Sequence, residues 1–168
     1  MAILKIARLG HPVLLGEASP AGDPTTPEMR RLIADMAETM VDANGPGLAA
    51  PQVHVPLRLF VYRQGGGVAA LVDPVIEPVG EDLENGWEGC LSIPGQFAEV
   101  TRPARVRVRY EDLEGKRREV EAEGLHSACL QHEIDHLDGV MFFDHISTLK
   151  RHMMLRKFTK EQKLKARA

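Results

Sequence analysis

Apolar residues at Met29, Leu32, Ile33, Met36, Ala37 and Met40 recur at three- and four-residue spacing, which predicts a helix with one core-facing stripe. Thr26 followed by Pro27 marks its start, with Thr25 and Glu28 as an alternative capping box. The methionines on the stripe are packing residues. Before it, residues 2–7 read as a short strand and Gly16 to Pro24 as a loop without periodicity. In the middle of the chain the period shortens to two. Leu57 to Tyr62 and Val68 to Val72 flank Gln64-Gly65-Gly66-Gly67 and predict a hairpin. Arg105 to Tyr110 alternates, so Val106 and Val108 should face the core and the arginines water. Acidic residues follow at once, and Glu119, Glu121 and Glu123 occupy the next strand. Cross-strand charge pairing is therefore expected, not sequence-specific nucleic-acid binding. From Leu125 to Leu137 apolar residues surround most of the helical circumference, the mark of a core helix. Strands, glycine-rich connections and one central helix predict an α+β fold, mixed or antiparallel sheets packed around that helix.

A chain of 168 residues, 43% hydrophobic, suits a single domain over 1–168 with one sizeable core. The net charge of −3 gives no global attraction to nucleic acid or anionic lipid. No signal-like segment or membrane-length apolar run is evident, so a cytoplasmic location is expected. A disulfide between Cys90 and Cys129 is not expected there, and Cys129 reads as a small buried hydrophobe. Residues 147–168 form a distinct basic helix: Ser147 is placed to cap it, and eight Lys/Arg residues oppose the single acid Glu161. Leu149, Met153 and Leu164 are its sparse apolar anchors.

The candidate chemistry sits in Gln131-His132-Glu133-Ile134-Asp135-His136-Leu137-Asp138. Side chains four apart share a helical face, so His132 and His136 can hold one metal ion while Glu133 reaches the same ion's water. Catalytic sites normally need a third ligand plus an open position, and Cys90 in Glu88-Gly89-Cys90-Leu91-Ser92 is the candidate. A metal there generates a nucleophile from water at neutral pH, and Glu133 can carry its proton to a departing amine. His126 lies off the direction of His132 on the helix, so a closed structural zinc site lacks a fourth ligand.

Three segments in this order, Gly45-Pro46-Gly47-Leu48-Ala49-Ala50-Pro51-Gln52, Glu88 to Ser92, and Gln131 to Gly139, resemble those of the peptide deformylases. The resemblance implies hydrolysis of the formyl group from N-formylmethionyl peptides, with Cys90, His132 and His136 as ligands and Glu133 as acid/base. It also implies that Gln52 and the backbone N–H of Leu91 face the formyl oxygen, and that Glu88 and Arg102 brace the site. Gly45, Pro46, Gly47, Gly89, Phe97, Leu125, Ala128 and Cys129 would contact substrate. A metal-dependent amidase or peptidase acting on another short or N-blocked peptide is the alternative. The sequence departs from the family pattern at Pro46, where a branched aliphatic is common, at Ala128, where a larger one is frequent, at Phe97, often arginine, and at His54, usually small. A wider first-residue pocket is expected. The ligands by themselves suit zinc; the resemblance implies Fe(II) in the cell, with Zn, Ni or Co possible after purification. It further implies ribosome contact through the basic terminal helix, with deletion after Phe158 expected to spare hydrolysis of a short peptide.

Overall fold

The computed structural model describes residues 2–167. Helix α1 spans Pro27–Asp42, and Thr26 Oγ1 accepts from the Met29 N–H at 3.2 Å, which selects Thr26 over Thr25 as the cap. Met29, Ile33, Met36 and Met40 are buried as the stripe predicts. The same helix buries two polar groups, and they correct the reading of residues 2–7. That segment is irregular because its backbone donors go elsewhere than to a ladder. Ala2 N–H donates to Asp35 Oδ1 at 2.7 Å, Leu4 N–H to Thr39 Oγ1 at 2.8 Å, and Ala7 N–H to the Gln52 carbonyl at 2.6 Å.

The strands are β1 (Gly47–Ala49), β2 (Leu59–Gln64), β3 (Gly67–Pro78), β4 (Leu83–Gly89), β5 (Phe97–Pro103), β6 (Arg105–Glu111) and β7 (Arg117–Glu123). One sheet runs β1-β2-β3-β6-β7, and β4 pairs with β5 as a separate ribbon. Every strand pairing is antiparallel; the exception outside the strands is an isolated parallel bridge between Ser19 and Leu57. Strand β3 continues past the expected Val72 through a register shift between Val72 and Val75, where Asp73 takes a φ of +48°. The shift lets one strand serve β2 with its first half and β6 with its second. On the exposed face Arg107 bonds Glu121 at 2.6 Å and Glu77 at 3.1 Å, the charge pairing expected from the alternation.

Helix α2 (Gly124–Leu137) packs Leu130, Ile134 and Leu137 against Phe60, Tyr62, Val106 and Val108 on one face of the large sheet. The α1 stripe packs against Leu48, Leu59, Val61 and Val72 on the other face. The central position of α2 between sheet and ribbon is what the α+β reading requires. Helix α3 (Thr148–Arg167) starts at Ser147, whose Oγ accepts from Lys150 N–H at 3.2 Å; Ala168 lies outside the described residues. Its expected anchors are wrong. Leu149, Met153 and Leu164 are exposed, while Met154 and Phe158, one turn apart, pack onto Ile93, Val100 and Phe142. Only the face carrying that i, i+4 pair meets the body. Among the described residues no helix is long and apolar enough to cross a membrane.

Candidate metal centre and its cavity

Helix α2 carries His132, Glu133 and His136 into the interior, where all three are buried. Cys90 follows the last residue of β4, so the ribbon supplies the third donor from the opposite side. The ligand atoms of Cys90, His132 and His136 all lie within 4.8 Å of one another. His132 Nδ1 is 3.0 Å from Glu88 Oε1, which leaves Nε2 to face the centre, an orientation typical of a metal-bound imidazole. Arg102 holds Glu88 through two bonds, Nε at 2.6 Å and an Nη at 2.9 Å, and donates its other Nη to Asp135 at 2.8 Å. Asp135 in turn lies 2.8 Å from His145 Nε2, so a continuous polar chain runs from a surface histidine to His132.

The electrostatics favour a bound cation. Burial pushes the Cys90 thiol up, yet His136 and His132 hold it well below its ordinary value, as a thiolate. Burial disfavours charge on His132, but Cys90, Glu88 and Glu133 overcome it. Glu88 sits at about 2 despite burial, because His132 and Arg102 stabilise its carboxylate. Glu133 moves upward: burial dominates, opposed by His132 and His136 and reinforced by Cys90 and Glu88. Among the described residues its Oε1 is buried without a hydrogen-bond partner. A thiolate, two imidazoles and an unpartnered carboxylate oxygen beside them fit a divalent ion with one open position.

The centre forms the floor of a cavity of about 520 Å³. Gly45, Pro46 and Gly47 form one wall, Gly89, Leu91 and Phe97 another, and Leu125, Ala128 and Cys129 a third, while His136 lies behind the lining. Gly47 matters most among them. A Cβ there would fall 2.5 Å from Glu133 Oε2 and 3.0 Å from its Cγ and Cδ, inside contact distance, so the side chain would have to shift. Gly47→Ala should therefore displace Glu133 and lower kcat for the catalysed hydrolysis by about tenfold or more, with the fold retained by circular dichroism; undiminished kcat would show that the carboxylate can shift freely.

Gln52 is buried beside the centre, but its amide is partly engaged. Oε1 accepts from Ala49 N–H at 3.0 Å, and Nε2 donates to Ser92 Oγ at 3.1 Å and approaches Cys90 Sγ at 3.4 Å. The Leu91 N–H makes no backbone hydrogen bond among the described residues. Cys129 lines the cavity, where the family resemblance puts a substrate contact; burial pushes its thiol up, so it is no nucleophile. Both cysteines are free. His126 sits 3.1 Å from Tyr62 OH, away from the ligands, and His54 is exposed against His11, outside the cavity lining.

Sequence reasoning missed four contributors. Trp87 lines the cavity three residues before Cys90, and Asp135 and His145 extend the Glu88–Arg102 brace. Gln96, also in the lining, donates to Glu161 Oε2 at 2.9 Å, so the acid that interrupts the basic helix clasps the cavity wall. No local signal pairs residues so far apart in the chain. The terminal helix is thereby tied to the site, which changes the expectation for its removal. Truncation after Phe158 and Glu161→Ala should each cost about two- to fivefold in kcat/KM on a short peptide, the scale of one lost hydrogen bond, with Glu161→Gln recovering most of it; identical kinetics in all three would dissociate the helix from the wall.

A buried Cys-His-His centre with an acidic group beside its open side, at the bottom of an apolar cleft, defines a metal-dependent hydrolase. The chain belongs to the polypeptide deformylase family, whose model matches residues 3–152. It is 50% identical over 151 residues to a peptide deformylase of Nitrobacter hamburgensis, covering 84% of this chain and 86% of that one. It is 49% identical over 168 residues to one of Rhizobium meliloti, covering 97% and 96%. Among solved structures, the Legionella pneumophila peptide deformylase superposes with a TM-score of 0.91 at 41% identity, covering 99% of both chains. An Ehrlichia chaffeensis peptide deformylase in complex with actinonin superposes with 0.90 at 34% identity, covering 96% and 98%.

Proposed function

We propose that this chain hydrolyses the formyl group from N-formylmethionyl peptides, releasing formate and a free amino terminus, as one catalytic domain. The observation that carries the reading is the Cys90–His132–His136 cluster with Glu133 beside it, under a cavity bordered by β1. Strand β1 is the edge of its sheet, so its outer side is available to an extended peptide adding as a further strand. Arg63 Nε donates to the Gly45 carbonyl at 3.0 Å and Arg63 N–H to the Pro46 carbonyl at 3.0 Å, which steadies the segment the peptide would pass.

Cys90, His132 and His136 would hold a divalent ion, which would supply Lewis acidity and lower the pKa of water. Glu133 takes the proton of the attacking water and passes it to the leaving nitrogen, a role suited to a carboxyl whose pKa burial has raised. The Leu91 N–H, free of a backbone partner among the described residues, faces the developing oxyanion, and the Gln52 amide assists by turning from Ser92 or Cys90. We assign Fe(II) as the cellular metal, with Zn, Ni or Co taken up in purified protein. The protein works in the cytoplasm on nascent chains, and the exposed lysines and arginines of α3 meet ribosomal phosphates.

The test is formate release from N-formyl-Met-Ala-Ser beside cleavage of the unformylated peptide, using anaerobically purified protein with its metal content measured. Formate release alone is expected; cleavage of the free peptide would favour the peptidase alternative, and a zinc-only protein of full activity would overturn iron. Pro46 and Ala128 both border the cavity, so the preference for formyl-methionine over formyl-phenylalanine should be about tenfold or less, and A128I should sharpen it. Rejection of the aromatic residue by a thousandfold would refute the wide pocket.

A further inference from the structure

We infer that Trp87 is a specificity-determining residue, selecting peptides with a bulky apolar third residue and disfavouring an acidic one. The inference rests on the deformylase reading and names a preference within it. Trp87 is the sole tryptophan of the chain, it is 71% exposed, and it lines the same cavity as Cys90 and Glu133. So large an apolar side chain held in water at the rim of a substrate cavity has surface to offer a ligand.

The ribbon sets its position. Trp87 and Gly89 share one face of β4, and Phe97 stands opposite Gly89 in register, so Phe97 is the diagonal neighbour of Trp87 on that face. Gly89 has no side chain to separate them: a Cβ there would meet Phe97 Cε1 at 2.5 Å, so the ring lies over the glycine. Trp87 and Phe97, which is 66% exposed, thus make a continuous apolar wall, with Leu125 at 86% exposure also at the cavity. Glu99 is the register partner of Trp87 and is exposed on the same face, which makes the wall hostile to a carboxylate.

Distance selects the substrate residue. Trp87 precedes Cys90 by three positions, about 10 Å along a strand at ~3.3 Å per residue. An extended peptide with its formyl group at the centre advances at the same rise, so its third residue comes level with the indole. First and third residues project to the same side of an extended chain, so a peptide that puts its first side chain in the cavity turns its third toward this wall.

The experiment uses the intact protein with N-formyl-Met-Ala-X, where X is Phe, Leu, Ala or Asp, in wild type, Trp87→Ala and Trp87→Phe. In wild type the KM for X = Phe should lie about tenfold below that for X = Asp, the scale of covering roughly 50–60 Å² of apolar surface. Trp87→Ala should compress that spread to about twofold by raising the KM of the Phe peptide, with kcat little changed, and Trp87→Phe should restore most of it. The single indole gives a second readout: its emission should shift on adding the product Met-Ala-Phe and not Met-Ala-Asp. An unchanged third-residue preference in Trp87→Ala, with formate still released, overturns the assignment. Absence of formate release from every peptide overturns the deformylase reading and this inference with it.

Discussion

Glu133→Gln should lower kcat for formate release by about 10²–10⁴-fold, the contribution typical of a positioned general acid/base, while KM and metal content stay near wild type. Glu133 is 3% exposed, buried beside the ligands and in the cavity lining. Glutamine preserves the shape and can fill the space beside Gly47, but it cannot accept and return a proton. In the metal-free fold burial raises the carboxyl, whereas a cation on the neighbouring ligands would favour its charged form, and the acidic limb of kcat/KM should report Glu133 under that balance. In the glutamine variant that limb should vanish from the residual activity. Loss of metal along with activity would instead make Glu133 part of the ligand shell, and a residual rate within fivefold of wild type would remove it from proton transfer.

How far the sequence revealed this arrangement depended on the range of each interaction. The α1 stripe and the Arg105–Tyr110 alternation are local periodicities, and both elements formed where expected. The metal helix was legible because its two histidines are four apart on one face, a constraint contained within a single turn. Cys90 needed the family resemblance or a guess about soft ligands, since the ribbon that brings it to His136 is fixed by β4–β5 pairing. The second half of β3 was hidden because Asp73-Pro74 reads as the end of a strand, and only the β6 partner across the register shift keeps it in the sheet. Residues 2–7 failed for the opposite reason. Their apolar content suits a strand, but Asp35 and Thr39 on α1 claim their amides. In α3 the choice between Met153 and Met154 as anchor turns on about 100° of helix rotation, which only contact with Phe142 and Ile93 decides.

Arg102→Ala should be the most destabilising single change near the site, costing about 3–5 kcal/mol in urea unfolding, because it leaves Glu88 and Asp135 without their cation. Arg102 is 5% exposed and spends three donors on those two carboxylates, and Glu88 carries the load onward to His132. The loss should therefore reach metal retention as well as stability, with dialysis against a weak chelator emptying the variant faster than wild type. Glu88→Gln separates the two effects. It keeps an acceptor for Arg102 and His132 but abolishes the titration of a carboxylate that sits at about 2 in the fold. A depressed carboxylate stabilises above its unfolded pKa and loses that contribution as pH falls through the folded value, so the window here runs from about pH 5 down to 2. In metal-free protein, where acid release of the ion plays no part, wild type should lose about 2–3 kcal/mol more than Glu88→Gln across that window. Parallel pH profiles for the two proteins would mean that Glu88 is held by solvent rather than by Arg102, and the chain of contacts from His145 to His132 would then be a feature of packing alone.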